Sequence, residues 1–219
     1  MTEPIRAIGL GAGGHAKVVI EALAAMGGVE VVGLLDPRRD LWGVRILGVT
    51  VLGDDDLLPR QYHEGVSHVF IGLGGAADTE PRQRLFDRAR STGLAPLAVT
   101  HPSAVVSPSA RFGDGSTVLA AAVVNASAEL GDNVLVNTRA TVEHDCRLGS
   151  HVHVATGATL ASGVQVGDGA HVGAGATVIQ GVRIGSRSIV GAGAVVLRDV
   201  EDGLVVAGVP ARVLRRVDA

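Results

Sequence analysis

The chain has 219 residues and a formal net charge of −3; 47% of it is hydrophobic but only 2% aromatic. That length allows one large domain or two small ones, whose core must be built from Val, Ile, Leu and Ala, and 31 glycines point to many regular tight turns. The absence of a basic run argues against nucleic-acid binding, no apolar run nears the ~20 residues of a membrane span, and a single cysteine, Cys146, excludes an internal disulfide.

The opening "MTEPIRAIGL" lacks the charged-then-apolar order of an export signal, so a cytoplasmic protein is expected. "RAIGLG" reads as a short buried strand. Gly14 to Met26 is expected to be helical, with Val18, Val19, Ala22, Leu23 and Met26 as its apolar stripe, and Gly27-Gly28 stops it. "VEVVGLLD" is a second strand, "VRILGVTVLG" a hairpin and "VSHVFIGLGG" a further buried strand. "EPRQRLFDRARSTG" is an amphipathic helix and "APLAVTHP" a last strand. This alternation predicts a small Rossmann-like α/β domain with a parallel sheet over residues 1–100.

The turn between the first strand and helix, "GLGAGGHAKVV", formally satisfies the dinucleotide fingerprint through Gly9, Gly11 and Gly14. Asp36 follows at the end of the second strand, 22 residues beyond Gly14. By that rule it would hold NAD. Against this, the domain is about half a two-lobed dinucleotide fold. The physics asks only for a phosphate, since glycines let backbone N–H groups approach it and a helix N-terminus favours negative charge. Both readings stay open on these residues.

After "THPSAVV" the period changes to six. Counted from Val106, the first position is Val, Leu, Ile or Phe in sixteen consecutive hexads up to Val196. The fifth position, from Ala110 to Val200, is always Ala, Ser, Val or Cys. Such self-similarity means a repeat architecture: a parallel β-helix of triangular section over residues 101–219, three hexads per coil. First positions stack inside and fifth positions fill the narrow bends. The α/β domain is expected to cover one end of this prism, and "EDGLVVAGVPARVLRRVDA" the other.

Within "VNTRATVEHDC", His144 occupies a third position and should point outward, flanked by Glu143 and Asp145. A histidine there suits proton removal from an amine or hydroxyl attacking a thioester, and a neighbouring carboxylate would orient the ring. A solvated surface histidine is the plainer alternative. Cys146 falls in a small inward slot and is expected to pack, so no acyl-enzyme is expected. His144, His151, His153 and His171 share the solenoid, but their spacing does not suit a zinc site, and no metal is expected.

The hexad rule resembles the left-handed β-helix of the hexapeptide acyltransferases, whose helices trimerise and hold acyl-CoA between neighbours; "AGVPARVL" resembles their closing stretch. "NTRATVEHDC" together with "GLGAGGHAKVV" resembles one subgroup, bacterial acetyltransferases with a small α/β cap that modify nucleotide-linked amino sugars or sialic acid, usually in surface polysaccharide biosynthesis. The resemblance implies a homotrimeric, acetyl-CoA-dependent sugar N-acetyltransferase. It implies His144 as general base, Asp145 raising its basicity and Asn137 holding the acceptor amine. His153 would contact acetyl-CoA, with Ala174 and Ala192 approaching its chain by their backbone. Gly13, Gly14 and His15 would lie at the phosphates or sugar, Asp36 near the base, and Gly74 would add a contact. Pro37 stands where some relatives carry a second acid, which leaves the base open among uracil, thymine and guanine. O-acetylation of sialic acid and a non-catalytic nucleotide-sugar scaffold are the alternatives.

Overall fold

The computed structural model describes residues 3–75 and 77–217; Met1 and Thr2 at the start of the expected cap, Ala76, and Asp218 and Ala219 of the closing segment lie outside them. The first strand, β1, is Ile5–Leu10, followed by α1 (Gly14–Met26), β2 (Val29–Leu35), β3 (Arg45–Ile46), β4 (Val49–Gly53), α2 (Leu58–His63), β5 (His68–Ile71), α3 (Glu80–Ser91) and β6 (Ala95–Pro96). They form one sheet in the order β3-β4-β2-β1-β5-β6, parallel except for the β3–β4 hairpin. The chain winds from β1 outward through β2 to β4, then returns to the other side of β1 as β5. The topological switch point therefore lies between β1 and β5, where open α/β sheets bind ligands beyond the carboxyl ends of their strands. The helix α2 is an addition to the elements expected from the sequence.

The expected last strand divides. Ala95–Pro96 edges the α/β sheet, whereas Val99–Thr100 (β7) pairs with Thr117–Val118 and is the first rung of the solenoid. From there two-residue strands repeat six residues apart. Each pairs in parallel with a strand one coil on, 18 residues later, as Thr117 does with Leu135 and Leu135 with His153. Three flat sheets result, and coils rise by the ~4.8 Å of strand spacing. We call face one the sheet containing β7, Thr117–Val118 and Leu135–Val136. Face two runs through Val123–Val124 and Thr141–Val142, and face three through Glu129–Leu130 and Arg147–Leu148.

First and fifth positions line the interior in one continuous cluster from Val118 to Val206. Each fully buried Val or Leu there is worth ~1.5–3 kcal/mol against exposure, so a charge at one such position would break the stack. Every fourth position from Gly115 to Gly193 has positive φ, the conformation in which each corner turns. Asn133, Asp145 and a run of glycines tolerate it, and Ala121, Arg139, His151 and Arg187 adopt it as well.

Two expectations are corrected. The α/β domain does not cover an end of the prism; it lies along its flank on face one. Val19 and Leu23 of α1 share a core cluster with Leu119 and Leu135, Thr79 Oγ1 donates to Gly169 O at 2.8 Å, and Arg90 pairs with Asp132. The starting end stays open, with Val105 64% and Phe112 37% exposed, so that first-position Phe112 is not fully interior. The hexad count also fails at its last step. Val200, counted as a fifth position, bridges to the first-position Ile184, and Val205–Val206 pair with Ile189–Val190, so the closing coil is two residues short. The chain then ends in the antiparallel hairpin Leu204–Ala207 and Arg212–Arg216.

The sixth positions, which point outward, differ by face. On face one Thr117, Leu135, His153 and His171 are buried beneath the α/β domain. Face three presents Arg111, Glu129, Arg147, Gln165 and Arg183. Face two presents Val105, Val123, Thr141, Thr159, Thr177 and Val195. No helix among the described residues is long and apolar enough to cross a membrane.

Candidate functional site

At the switch point two loops meet. A Cβ on Gly72 would lie 2.6 Å from Gly11 O, so only glycine lets the end of β5 approach the β1–α1 turn this closely, and Gly11 itself has φ +98°. α1 starts at Gly14 behind Gly13, with no side-chain cap, which leaves its first N–H groups for an anion. A Cβ built on Gly14 would meet only open space, and one built on Gly13 would meet only Arg38 Nη2, at 4.0 Å. His15 enters the crevice from α1, within 3.8 Å of a Cβ built on Gly74. Burial, assisted by the Arg82 charge, lowers the His15 pKa to about 4, so its ring is neutral at pH 7.

Asp36 ends β2 and organises the rim. One oxygen accepts the Ala12 N–H at 2.8 Å, and the Arg38 guanidinium grips both oxygens at 2.9 and 3.0 Å. Burial alone would raise the Asp36 pKa, but the Arg38 and Ala12 hydrogen bonds prevail and hold it below the usual carboxylate value. Arg38 and the nearby Trp42, whose Nε1 donates to Asp36 O, were not singled out by the sequence.

The crevice continues into the seam with the solenoid. His153 Nδ1 lies 2.8 Å from Gly75 O, and a carbonyl only accepts, so Nδ1 carries the proton. Nε2 is then an acceptor for Asn137 Nδ2 at 3.2 Å, while Asn137 Oδ1 accepts the Thr138 N–H at 2.8 Å. The amide is thereby fixed, with one lone pair and one N–H to spare. The His171 ring packs edge-on against His153 at 4.8 Å. Burial first, then the neighbouring His171, Arg82 and His15, push the His153 pKa down to about 3. Among the described residues no group of three His, Cys, Asp or Glu side chains could hold a metal ion.

His144 lies elsewhere, at the corner between faces two and three. Its side chain is 53% exposed and its Nδ1 sits 2.7 Å from Asp145 Oδ2, which leaves Nε2 as the nitrogen free to take a proton. Cys146 is fully buried, its thiol donates to Ala161 O, and burial raises its pKa, so it packs as expected of its slot. Ala174 and Ala192 stack one coil apart at the corner between faces one and two, both exposed, with Ala174 O accepting the Gly193 N–H. The structure thus brings Gly13, Gly14, His15, Asp36 and Gly74 to one crevice and joins Asn137 and His153 below it. His144 and Asp145 occupy the next corner of the prism.

Residues 7–89 match the PglD N-terminal domain, residues 163–198 the bacterial transferase hexapeptide repeats and residues 139–180 the hexapeptide repeat of succinyl-transferase. No curated protein matches the chain. Among solved structures, a mutant of perosamine N-acetyltransferase from Caulobacter crescentus, in complex with CoA and GDP-perosamine, is 45% identical. That match covers 95% of this chain and 96% of that one, with a TM-score of 0.89. The acetyltransferase domain of PglB from Neisseria gonorrhoeae is 38% identical over 96% of this chain and all of that one, with a TM-score of 0.89, and has also been solved with acetyl coenzyme A. WeeI from Acinetobacter baumannii is 27% identical over 95% of this chain and all of that one, at a TM-score of 0.79.

Proposed function

Since this chain belongs to the hexapeptide-repeat acetyltransferases with a PglD-type N-terminal domain, built on a left-handed β-helix, we propose that it transfers acetyl from acetyl-CoA to the amino group of a nucleotide-linked amino-deoxy sugar. The finer reading is a GDP-, UDP- or dTDP-linked 4-amino-4,6-dideoxy sugar, acetylated in the cytoplasm for polysaccharide assembly. The observation that carries it is the His144–Asp145 pair, held at 2.7 Å on an outward corner of a solenoid whose flank bears the switch-point crevice.

The α/β domain holds the nucleotide: the α1 N-terminus takes the diphosphate, and the Asp36–Arg38 rim lies towards the base. The amine nitrogen attacks the thioester carbonyl carbon. As the C–N bond forms, His144 Nε2 accepts an amine proton and Asp145 favours the imidazolium. Collapse of the tetrahedral species breaks the C–S bond, and the same proton passes to the departing thiolate. The spare Asn137 Oδ1 lone pair accepts an N–H of the amine, and backbone N–H groups at the corner offset the developing oxyanion charge. The exposed alanines at 174 and 192 leave room for the pantetheine arm above His153 on the solenoid.

His144 and the Asn137–His153 pair occupy different corners of one prism, so the reading requires a second copy. Face two supports this. Its sixth positions are all Val or Thr, flanked by Ala161, Ile179 and Leu197, and its second-position carboxylate, Glu143, is bonded to Asn125 Nδ2. Packing face two of three copies about one axis brings one copy's His144 corner towards the next copy's Ala174–Ala192 corner.

Acetyl-CoA consumption is measured against a panel of GDP-, UDP- and dTDP-linked amino sugars and free sialic acid. Turnover of an amino sugar supports the reading. Turnover of sialic acid alone makes the protein an O-acetyltransferase, and binding of sugar nucleotide without any acetyl-CoA binding makes it a scaffold. Co-expression of His144→Ala with Asn137→Ala chains should restore about a quarter of the activity, because half of the corners of each kind are intact. No restoration would place both residues in a site within one chain.

A further inference from the structure

Of the side-chain polar atoms buried without a hydrogen-bond partner among the described residues, four surround one loop: His15 Nε2, Arg82 Nε and Nη2, and His171 Nδ1. The loop is Gly72–Gly75, which closes the switch-point crevice. Arg82, near the start of α3, is 1% exposed. Its Nη1 donates to Ile71 O at 3.1 Å and Leu73 O at 2.9 Å, which places the guanidinium at the carboxyl end of β5. No Asp or Glu among the described residues forms an ion pair with it. A buried cation without a counter-charge costs several kcal/mol unless something else compensates it. Two carbonyls satisfy one nitrogen and leave two.

We propose that Arg82 is the electrostatic anchor of the crevice, a fixed positive charge behind the Gly72–Gly75 loop whose missing counter-ion is the diphosphate of the bound nucleotide. This deepens the proposed function and rests on it. Leu73 O, which Arg82 holds, precedes Gly74, and Gly74 faces His15 on the uncapped first turn of α1. The anion would thus meet a helix N-terminus in front and a guanidinium behind, with little water between to screen the charge. The same charge acts on the neighbouring rings: the lowered pKa values of His15, His151 and His153 each have Arg82 as one cause. Arg38, by contrast, spends its fork on Asp36 at the rim and is half exposed.

The test separates charge from bracing. Calorimetric affinities are measured for a nucleoside and its 5′-diphosphate (guanosine, uridine and thymidine series) with the unaltered protein, Arg82→Gln and Arg82→Lys. Gln keeps a donor for the Ile71 and Leu73 carbonyls but loses the charge, whereas Lys keeps the charge. Arg82→Gln should lose roughly 10- to 100-fold in diphosphate affinity while nucleoside affinity holds, and Arg82→Lys should recover most of the loss. Equal loss for nucleoside and diphosphate, or none, overturns the inference and leaves Arg82 a brace. Should Arg82→Gln fail to fold, Arg82→Lys still decides. It keeps the charge and gives up the planar fork, so diphosphate affinity held within a few-fold supports the inference, and an equal loss for nucleoside and diphosphate overturns it. If the unaltered protein binds no nucleoside diphosphate in any series, the proposed function itself falls.

Discussion

Acidification should loosen the seam between the two domains, and His153 sets the scale. Its pKa is about 3 in the fold against 6.5 for a free histidine, because burial disfavours the imidazolium. The folded form therefore binds fewer protons than the unfolded chain. Stability is complete above pH 6.5 and is lost as pH falls from there towards 3. The whole difference is worth about 5 kcal/mol, and by pH 5 about 2 kcal/mol of it is gone. His15, at about 4, loses a similar ~2 kcal/mol by pH 5, and His171 adds in the same direction. Against the ~5–15 kcal/mol that holds a typical domain, that is a large share.

Thermal melting from pH 7.5 to 5 is the assay, for the unaltered protein and for His153→Asn. The Asn amide sits where Nδ1 sits and can donate to Gly75 O, but it does not titrate. With ~2–4 °C per kcal/mol for a chain of this size, the variant should lose about 4–8 °C less on acidification. Parallel pH slopes for the two proteins would refute the argument, since they would mean that His153 is protonated without cost in the fold.

His144→Ala should lower kcat by ~10²–10⁴ with the assembly intact by sedimentation; unchanged turnover would remove it from proton transfer. Cys146→Ala should keep kcat within about twofold while losing ~1 kcal/mol of stability in urea melts, because the thiol fills an interior slot and donates only to Ala161 O. Gly72→Ala would press a Cβ to 2.6 Å from Gly11 O and 3.0 Å from Ala16 Cβ. It should cost ~1–3 kcal/mol and raise KM for the sugar nucleotide more than KM for acetyl-CoA, as read by steady-state kinetics.

Much of this molecule was legible before any coordinate. The six-residue period named which side chains stack inside, because the inward direction in a coil depends only on position within the hexad; Val136, Val154 and Val172 obey it. The glycine turn and Asp36 pointed to a crevice between the first strand and helix through local backbone requirements alone. Arg82 was invisible for the opposite reason. It is one of four arginines in a helix whose sequence reads as solvated, and only packing against the end of β5 buries that one. The closing coil misled the count because Val200 is a plausible small fifth-position residue, and its shift by two is made in space by the bridge to Ile184.

The sequence by itself determined what repeats: a strand-helix alternation, then an aliphatic prism with His144 pointing outward. Period and residue size are enough for those, since each concerns a chain segment and its immediate neighbours. Tertiary structure alone decided which of three outward faces the α/β domain covers, and so that His153 is buried and neutral while His144 stands in solvent. Both are outward histidines on the same solenoid. Only long-range contact, through Gly75 and Thr79, makes their surroundings differ.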